Sequence, residues 1–287
     1  MLPKPIVNLE DHFRDMRKEI YDDMLARGRD KFKFTVLSLR AFKYLTLNPT
    51  RGSLLESYYV LMRYIDDIVD GDTQLPKNTS AMGYIEDKIN FLRNPINPQD
   101  AADYLMLYCF QLAKKLGHDL SFESDDILNS LRFDAQRVKK SVILPDEQLK
   151  HHFYLLDIRG VIRATLKIFG EDYSKYTVLH PLGTASRIYY NLKDYEEDIR
   201  AGFINISAED FKKYNMSKGD LENRLSESVQ KWIADQATLG MDLLQQHRQN
   251  ISKEKFKPLT KLVLYLKYER PVREYFENEL KLLSEYK

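Results

Sequence analysis

Residues 57–72 read SYYVLMRYIDDIVDGD, an apolar, helix-like run that ends in four aspartates within seven positions. Arg63 precedes Asp66 by three residues. Asp66 and Asp70 stand four apart, so on a helix they project from one face at about 5–6 Å between Cβ atoms. Like charges so placed destabilise an isolated helix by about 0.2–0.5 kcal/mol. Either this is a solvated helix end, or something strongly positive binds there. A divalent cation reverses the sign of the repulsion. Oxygen ligands suit Mg²⁺, which takes one or two carboxylates, several waters and phosphate oxygens.

A second acidic patch lies far along the chain, YYNLKDYEEDIRAG at 189–202. Asp194 and Asp198 are again four apart, Glu197 adjoins the second, and Lys193 directly precedes the first. Two acidic pairs, each with a basic neighbour, are suited to face each other across a helical bundle. Mg²⁺ would sit between them, and the cations would hold a polyanion, most simply a diphosphate. Two such pairs in apolar helices favour metal-assisted chemistry on a diphosphate over two solvated faces. No P-loop glycine pattern points to nucleotide hydrolysis instead.

The rest of the chain supports an all-α reading. Apolar residues recur at helical spacing over 9–27, 30–47, 53–70, 81–93, 101–116, 125–140, 145–169, 182–201, 219–249 and 253–286. Asn48-Pro49-Thr50-Arg51-Gly52, Thr73–Ser80 and Gly117 read as breaks, and Phe203–Ile206 as a short extended piece. There is no hairpin signal, parallel-sheet pattern or internal repeat. The expectation is one domain over residues 1–287, a bundle of roughly ten helices with short connections.

Composition narrows the function. Of 287 residues, 43% are hydrophobic and 30% charged, enough for a sizeable core under a charged surface. Lys and Arg number 44 against 43 Asp and Glu, which argues against a broad nucleic-acid footprint. The single cysteine, Cys109, excludes an internal disulfide framework and a thiolate metal cluster, and fits a reducing cytosol. The first residues lack the apolar core of a signal peptide, and no run of about 18 apolar residues predicts a transmembrane helix. A cytoplasmic protein is expected.

On these residues the sequence resembles the squalene/phytoene synthase family. The family's first motif has Tyr, three residues, Arg, two residues, then D-x-x-x-D, matched by Tyr59, Arg63, Asp66 and Asp70, with Asp67 as the frequent second acid. The second is matched within LGTASRIYYNLKDYEEDIRAGFIN by Leu182, Gly183, Ala185, Leu192, Asp194, Glu197, Asp198, Gly202 and Ile204, with Lys193 for arginine. Weaker matches are LRFDAQR, which includes Asp134, and KIFG at 167–170.

The resemblance implies an all-α isoprenoid synthase bundle with a central cavity. It implies Mg²⁺ held by Asp66, Asp70, Asp194 and Asp198, with Asp67 and Glu197 as further candidates. The implied substrates are prenyl diphosphates such as farnesyl or geranylgeranyl diphosphate, joined head to head after diphosphate departure. Tyr59, Arg63, Lys193, Arg187 and Lys267 are the implied substrate contacts. Squalene-forming members also use NADPH, and no dinucleotide fingerprint speaks to it here. An apolar substrate implies peripheral membrane contact. The sequence carries no signal for oligomeric state.

The departures are specific. Tyr190 stands where the family's second motif begins with Asn, and Asn191 is one residue out of register, about 100° around a helix. Arg187 replaces a Gln. Phe203 and Asn205 replace an Arg and a Tyr, so the loop after Gly202 is expected to have lost its polar groups. DIRGVI at 157–162 replaces a run of small residues, and Arg159 and Arg163 follow one another at four-residue spacing. His151 and His152 are adjacent and point to different faces, which argues against a shared metal site. The departures leave two alternatives: a terpene cyclase or diphosphate hydrolase using a single prenyl substrate, or a non-catalytic assembly or binding factor.

Overall fold

The structure, a computed structural model, describes residues 48–285 and, ahead of them, positions 13, 15, 16, 18–20, 22, 26, 38, 39 and 41. The helices expected over 9–27 and 30–47 otherwise lie outside the described residues, and these positions within them are helical. Among the described residues there is no strand, so the all-α class holds. The chain divides into two compact units, Met1–Ala135 with Lys167–Gly170, and Gln136–Leu166 with Glu171–Lys287.

The first unit contains α1 (Pro49–Val69), α2 (Ala81–Arg93), α3 (Ala101–Lys115) and most of α4 (Ser121–Arg137). Helix α1 starts four residues before its expected boundary at Ser53. Asn48-Pro49 opens the helix rather than interrupting the chain. The Asn48 side chain accepts from the Arg51 amide at 3.0 Å, and Pro49 occupies the first helical position, where no amide is needed. Ser80 and Asp100 cap α2 and α3 in the same way. Helix α1 packs on α2 and α3, burying Leu54, Leu61, Ile65, Ile85, Ile89 and Leu105. Two buried lysines are paired within this unit. Lys88 meets Asp103 at 2.6 Å and Asp100 at 2.7 Å, and Lys167 meets Glu123 at 2.7 Å. Pairing is what makes such burial tolerable.

In the second unit the segment expected as one helix over 145–169 is three pieces. They are α5 (Asp146–Phe153), a π-helical stretch (Tyr154–Ile162) and α6 (Arg163–Phe169), whose last residues belong to the first unit. A π turn carries an extra residue, so it rotates every side chain that follows, and it is frequent at functional sites. DIRG lies inside it. A 3-10 turn (Tyr173–Leu179) leads to α7 (His180–Lys193), α8 (Tyr195–Ala201), α9 (Ala208–Lys213) and a second 3-10 turn (Lys218–Glu222). Helix α10 (Glu227–Lys253), α11 (Pro258–Leu264), a second π stretch (Tyr265–Glu269) and α12 (Arg270–Glu285) complete the unit.

Helix α10 packs on α7 and α12 around Leu182, Ala185, Leu192, Trp232, Leu244 and Phe276. A Cβ on Gly183 would lie 2.2 Å from Ile158 Cδ1 and 2.7 Å from Ile162 Cδ1, so α7 meets the first π stretch at close range.

The helix expected over 182–201 is divided at Asp194. At the division the Leu192 carbonyl accepts from Arg224 Nη1 at 2.6 Å. A side chain that inserts into the helical ladder interrupts it. The extended piece expected over 203–206 is irregular backbone, not strand.

Candidate functional site

The first acidic motif closes α1. Four carboxylates gather at the C-terminal end of a helix, which carries partial negative charge, and the last turn has no basic residue. Arg63 offsets this from one turn back. Its guanidinium lies 2.6 Å from Asp66, 2.5 Å from Asp67 and 3.7 Å from Asp72. Asp67 is fully buried against it, whereas Asp66 and Arg63 are each 25% exposed. Burial pushes the Asp70 carboxyl well above the usual range. Asp66 and Asp134 push it further, Arg63 opposes them, and Asp72 adds a little. Asp134, on α4, is therefore a third carboxylate within electrostatic reach of Asp70. Its sequence signal was the weak match in LRFDAQR. Tyr59 lies one turn before Arg63 and interacts with it electrostatically.

The second motif spans the break between α7 and α8. The Asp198 amide donates to the Asp194 carbonyl at 2.9 Å, so the two aspartates remain one turn apart despite the break. Burial raises the Asp198 carboxyl to about 7, with Asp194 next in weight, while Arg187, Asn205 and Arg137 pull it back. Asn205 Nδ2 donates to Asp198 Oδ2 at 2.9 Å. Arg137 Nη1 donates to Asn205 Oδ1 at 2.8 Å, and its guanidinium lies 5.0 Å from the centre of the Phe203 ring. The loop after Gly202 has therefore not lost its polar function. Asn205 and Phe203 link Asp198 to Arg137. Sequence reasoning missed both Asn205 and Arg137, because nothing local connects residues 68 apart.

Asn191 stands seven residues, about two helical turns, before Asp198. Its Oδ1 is buried with no hydrogen-bond partner. With Tyr195, Asp198, Asn205 and Trp232 it lines a recess about one water in size. Tyr190, at the motif's expected Asn position, is 42% exposed and packs its ring 4.9 Å from Tyr189.

The remaining cations are placed as follows. Arg187 forms a bidentate pair with Asp157, Nε to Oδ2 at 2.7 Å and Nη2 to Oδ1 at 2.8 Å, and lies 4.8 Å over the Phe153 ring. Asp157 of DIRG thus points at Arg187. Arg163 lies over the rings of Tyr173 at 4.8 Å and Tyr176 at 5.7 Å. Lys193 is exposed and 5.2 Å from the Tyr189 ring centre. Glu197 and Lys267 are exposed, the latter in the second π stretch. His152 is buried and His151 exposed, so the two do not share a face.

The Asp157–Arg187 pair allows a direct test of how far the first π stretch is pinned to α7. In a double-mutant cycle with Asp157→Asn and Arg187→Gln, we expect a coupling of about 1 kcal/mol, at the upper end for partly exposed pairs because the geometry is bidentate. Additive denaturation midpoints would show that the pair does not hold.

Among the described residues no three His, Cys, Asp or Glu side chains form a preformed metal cage. The donors present are oxygens in pairs, Asp66 with Asp70 and Asp194 with Asp198, and beside the second pair is the unpartnered Asn191 Oδ1. That donor set fits a hard cation whose coordination is completed by water and phosphate oxygens.

Comparison with solved structures shows the fold. The chain is similar to squalene synthase HpnC from Alicyclobacillus acidocaldarius, with a TM-score of 0.65, 17% identity, and coverage of 98% of this chain and 95% of that one. It is also similar to a dehydrosqualene synthase solved in complex with ligand, with a TM-score of 0.59, 15% identity, and coverage of 96% and 98%. No curated protein matches the chain. The squalene/phytoene synthase family profile matches residues 41–274, a span that includes both acidic motifs, the π stretch between them and Asn205. The chain belongs to the squalene/phytoene synthase family.

Proposed function

We propose that the chain is a Mg²⁺-dependent prenyltransferase that joins two prenyl diphosphates head to head. The observation that carries this reading is an arrangement found twice. Each acidic motif holds its second aspartate, Asp70 or Asp198, half-buried and beside a like-charged neighbour. That is unfavourable for the chain alone and favourable once a cation is shared between the carboxylates. Asp66 and Asp70 would hold it in the first motif, and Asp194 and Asp198, with Asn191 beside them, in the second. Bound Mg²⁺ supplies charge stabilisation to a departing diphosphate.

The chain's own residues divide the remaining work. Arg63 and Asp67 fix the end of α1. Asn205, positioned by Arg137, orients the Asp198 carboxylate. Tyr59 and Arg63 in the first unit, and Arg187, Lys193 and Lys267 in the second, are proposed as diphosphate contacts, the two lysines being exposed. Glu197 is proposed as an outer contact of the second motif. Apolar surroundings would shield an allylic cation from water. No step is assigned to NADPH. No helix among the described residues is long and apolar enough to cross a membrane. Peripheral contact with a bilayer is part of the proposal, because the substrates' prenyl chains are apolar.

A second reading has its own support. Ile158 and Ile162 press on Gly183, and Asp157 is paired with Arg187, in the stretch where the family resemblance implied small residues. That bulk favours a single prenyl substrate, as in a cyclase or hydrolase. The experiment is to incubate the chain with farnesyl or geranylgeranyl diphosphate, with Mg²⁺ or with a chelator. Pyrophosphate release that depends on Mg²⁺, with a product containing two prenyl chains, is the expected result. Release with a single-chain product would replace the first reading by the second. No release and no metal-dependent binding of an unreactive analogue would sink both.

A further inference from the structure

We infer that the outward face of residues 253–266 docks the chain on an anionic phospholipid surface. Pro258, Lys261, Leu262, Tyr265 and Leu266 follow the spacing of one helical face. Apolar residues at that spacing belong inside a protein, yet Leu262 is 50% exposed, Tyr265 44% and Leu266 42%. The inward side of the same segment is already filled by Thr260, Val263 and Leu264, all buried. The helix therefore presents a second apolar face, and it points to solvent.

The rim of that face is basic. Lys253, Lys255, Lys257 and Lys261 are all exposed. The one acidic residue between positions 253 and 267, Glu254, faces Lys175 at 3.8 Å. Four lysines less one glutamate give residues 253–266 a charge of +3, whereas the whole chain carries +1. The positive charge is concentrated where the leucines are exposed. Exposed leucine and tyrosine tips on a lysine-rich segment suit a headgroup layer. The apolar tips enter the acyl boundary, tyrosine sits at the interface, and lysine stems reach back to anionic phosphates. A second copy of the chain is a poor occupant, because a two-fold contact would set this lysine rim against itself.

The face gives the proposed membrane contact a place. Its test uses no prenyl substrate, so its failure leaves the reading of the acidic motifs untouched. The full chain is floated with vesicles of phosphatidylcholine alone or mixed with phosphatidylglycerol, at low and high salt. We expect binding to the mixed vesicles that weakens with salt. Both Leu262→Ser/Leu266→Ser and Lys257→Glu/Lys261→Glu should weaken it by about tenfold or more, with the helical circular dichroism unchanged. Equal binding to neutral vesicles, or full binding by either variant, would overturn the inference. So would a dimer that Leu262→Ser dissolves in a chain that binds no vesicle.

Discussion

Asp70→Asn should lower Mg²⁺-dependent pyrophosphate release by about 10³-fold and, at the same time, make the metal-free chain more stable. The two effects share one cause. Asp70 caps the C-terminal end of α1, where the helix already carries partial negative charge. It is half-buried, and Asp66 and Asp134 press on it electrostatically, with Arg63 in opposition. Asparagine keeps the shape and removes the charge, so the like-charge repulsion is lost. A gain of about 1 kcal/mol corresponds to a rise of about 2–4 °C in Tm for domains of about 150–250 residues. The activity loss has the size seen when a transition-state charge loses one preorganised partner. The paired readouts separate a ligand from a structural residue. Mg²⁺ with an unreactive prenyl diphosphate analogue should raise the Tm of the native chain and have much less effect on the variant. A variant that is both less stable and still active would sink this account of the first motif.

Closeness in sequence explains which parts of the molecule were legible beforehand. The helical class was, because apolar spacing near 3.6 residues is local and recurs along the chain. Both acidic motifs were, because each is set by residues one turn apart. Much of what escaped depends on groups distant in sequence. The break at Asp194 coincides with Arg224 taking the Leu192 carbonyl, and the two are 32 positions apart. The π stretches keep an apolar pattern close to that of an α-helix, so periodicity does not reveal the extra residue per turn. Asp157 and Arg187 lie 30 positions apart, and each has many other opposite charges in the sequence. The family pattern, which has another residue at Asn205, predicts a lost polar group there. In the structure it is the donor that holds Asp198. Asn48-Pro49 reads as a stop, although the same pair with an amide three residues on to cap makes a helix start.

Gly202→Ala should cost more than Gly117→Ala, which shares its positive φ but stands in an open environment. Both glycines are left-handed, at φ +85° and +77°. An alanine in that region costs about 1–2 kcal/mol wherever it stands. Around Gly117 there is nothing within 4 Å of an added Cβ. On Gly202 the Cβ would lie 2.8 Å from Lys139 Cα and 3.1 Å from its N and C atoms. Those are backbone atoms and cannot rotate aside. They are also tied to the same turn, since the Lys139 amide donates to Ala201 O at 3.1 Å and the Ser141 amide to Gly202 O at 3.2 Å. Relieving the clash therefore separates the two strands of backbone and breaks those bonds. Overpacking of this kind adds about 1–3 kcal/mol, so the total is about 2–5 kcal/mol, against about 1–2 for Gly117→Ala. The damage should also reach the second motif. The Phe203 amide donates to the Asp198 carbonyl at 2.8 Å, and Asn205, two residues further on, holds the Asp198 carboxylate. Gly202→Ala should therefore weaken Mg²⁺-dependent binding of a prenyl diphosphate analogue even below its melting transition, while Gly117→Ala leaves that binding intact. Equal losses of stability in the two variants would mean that the backbone of Lys139 does not press on Gly202, and the positioning of Asp198 would need another cause.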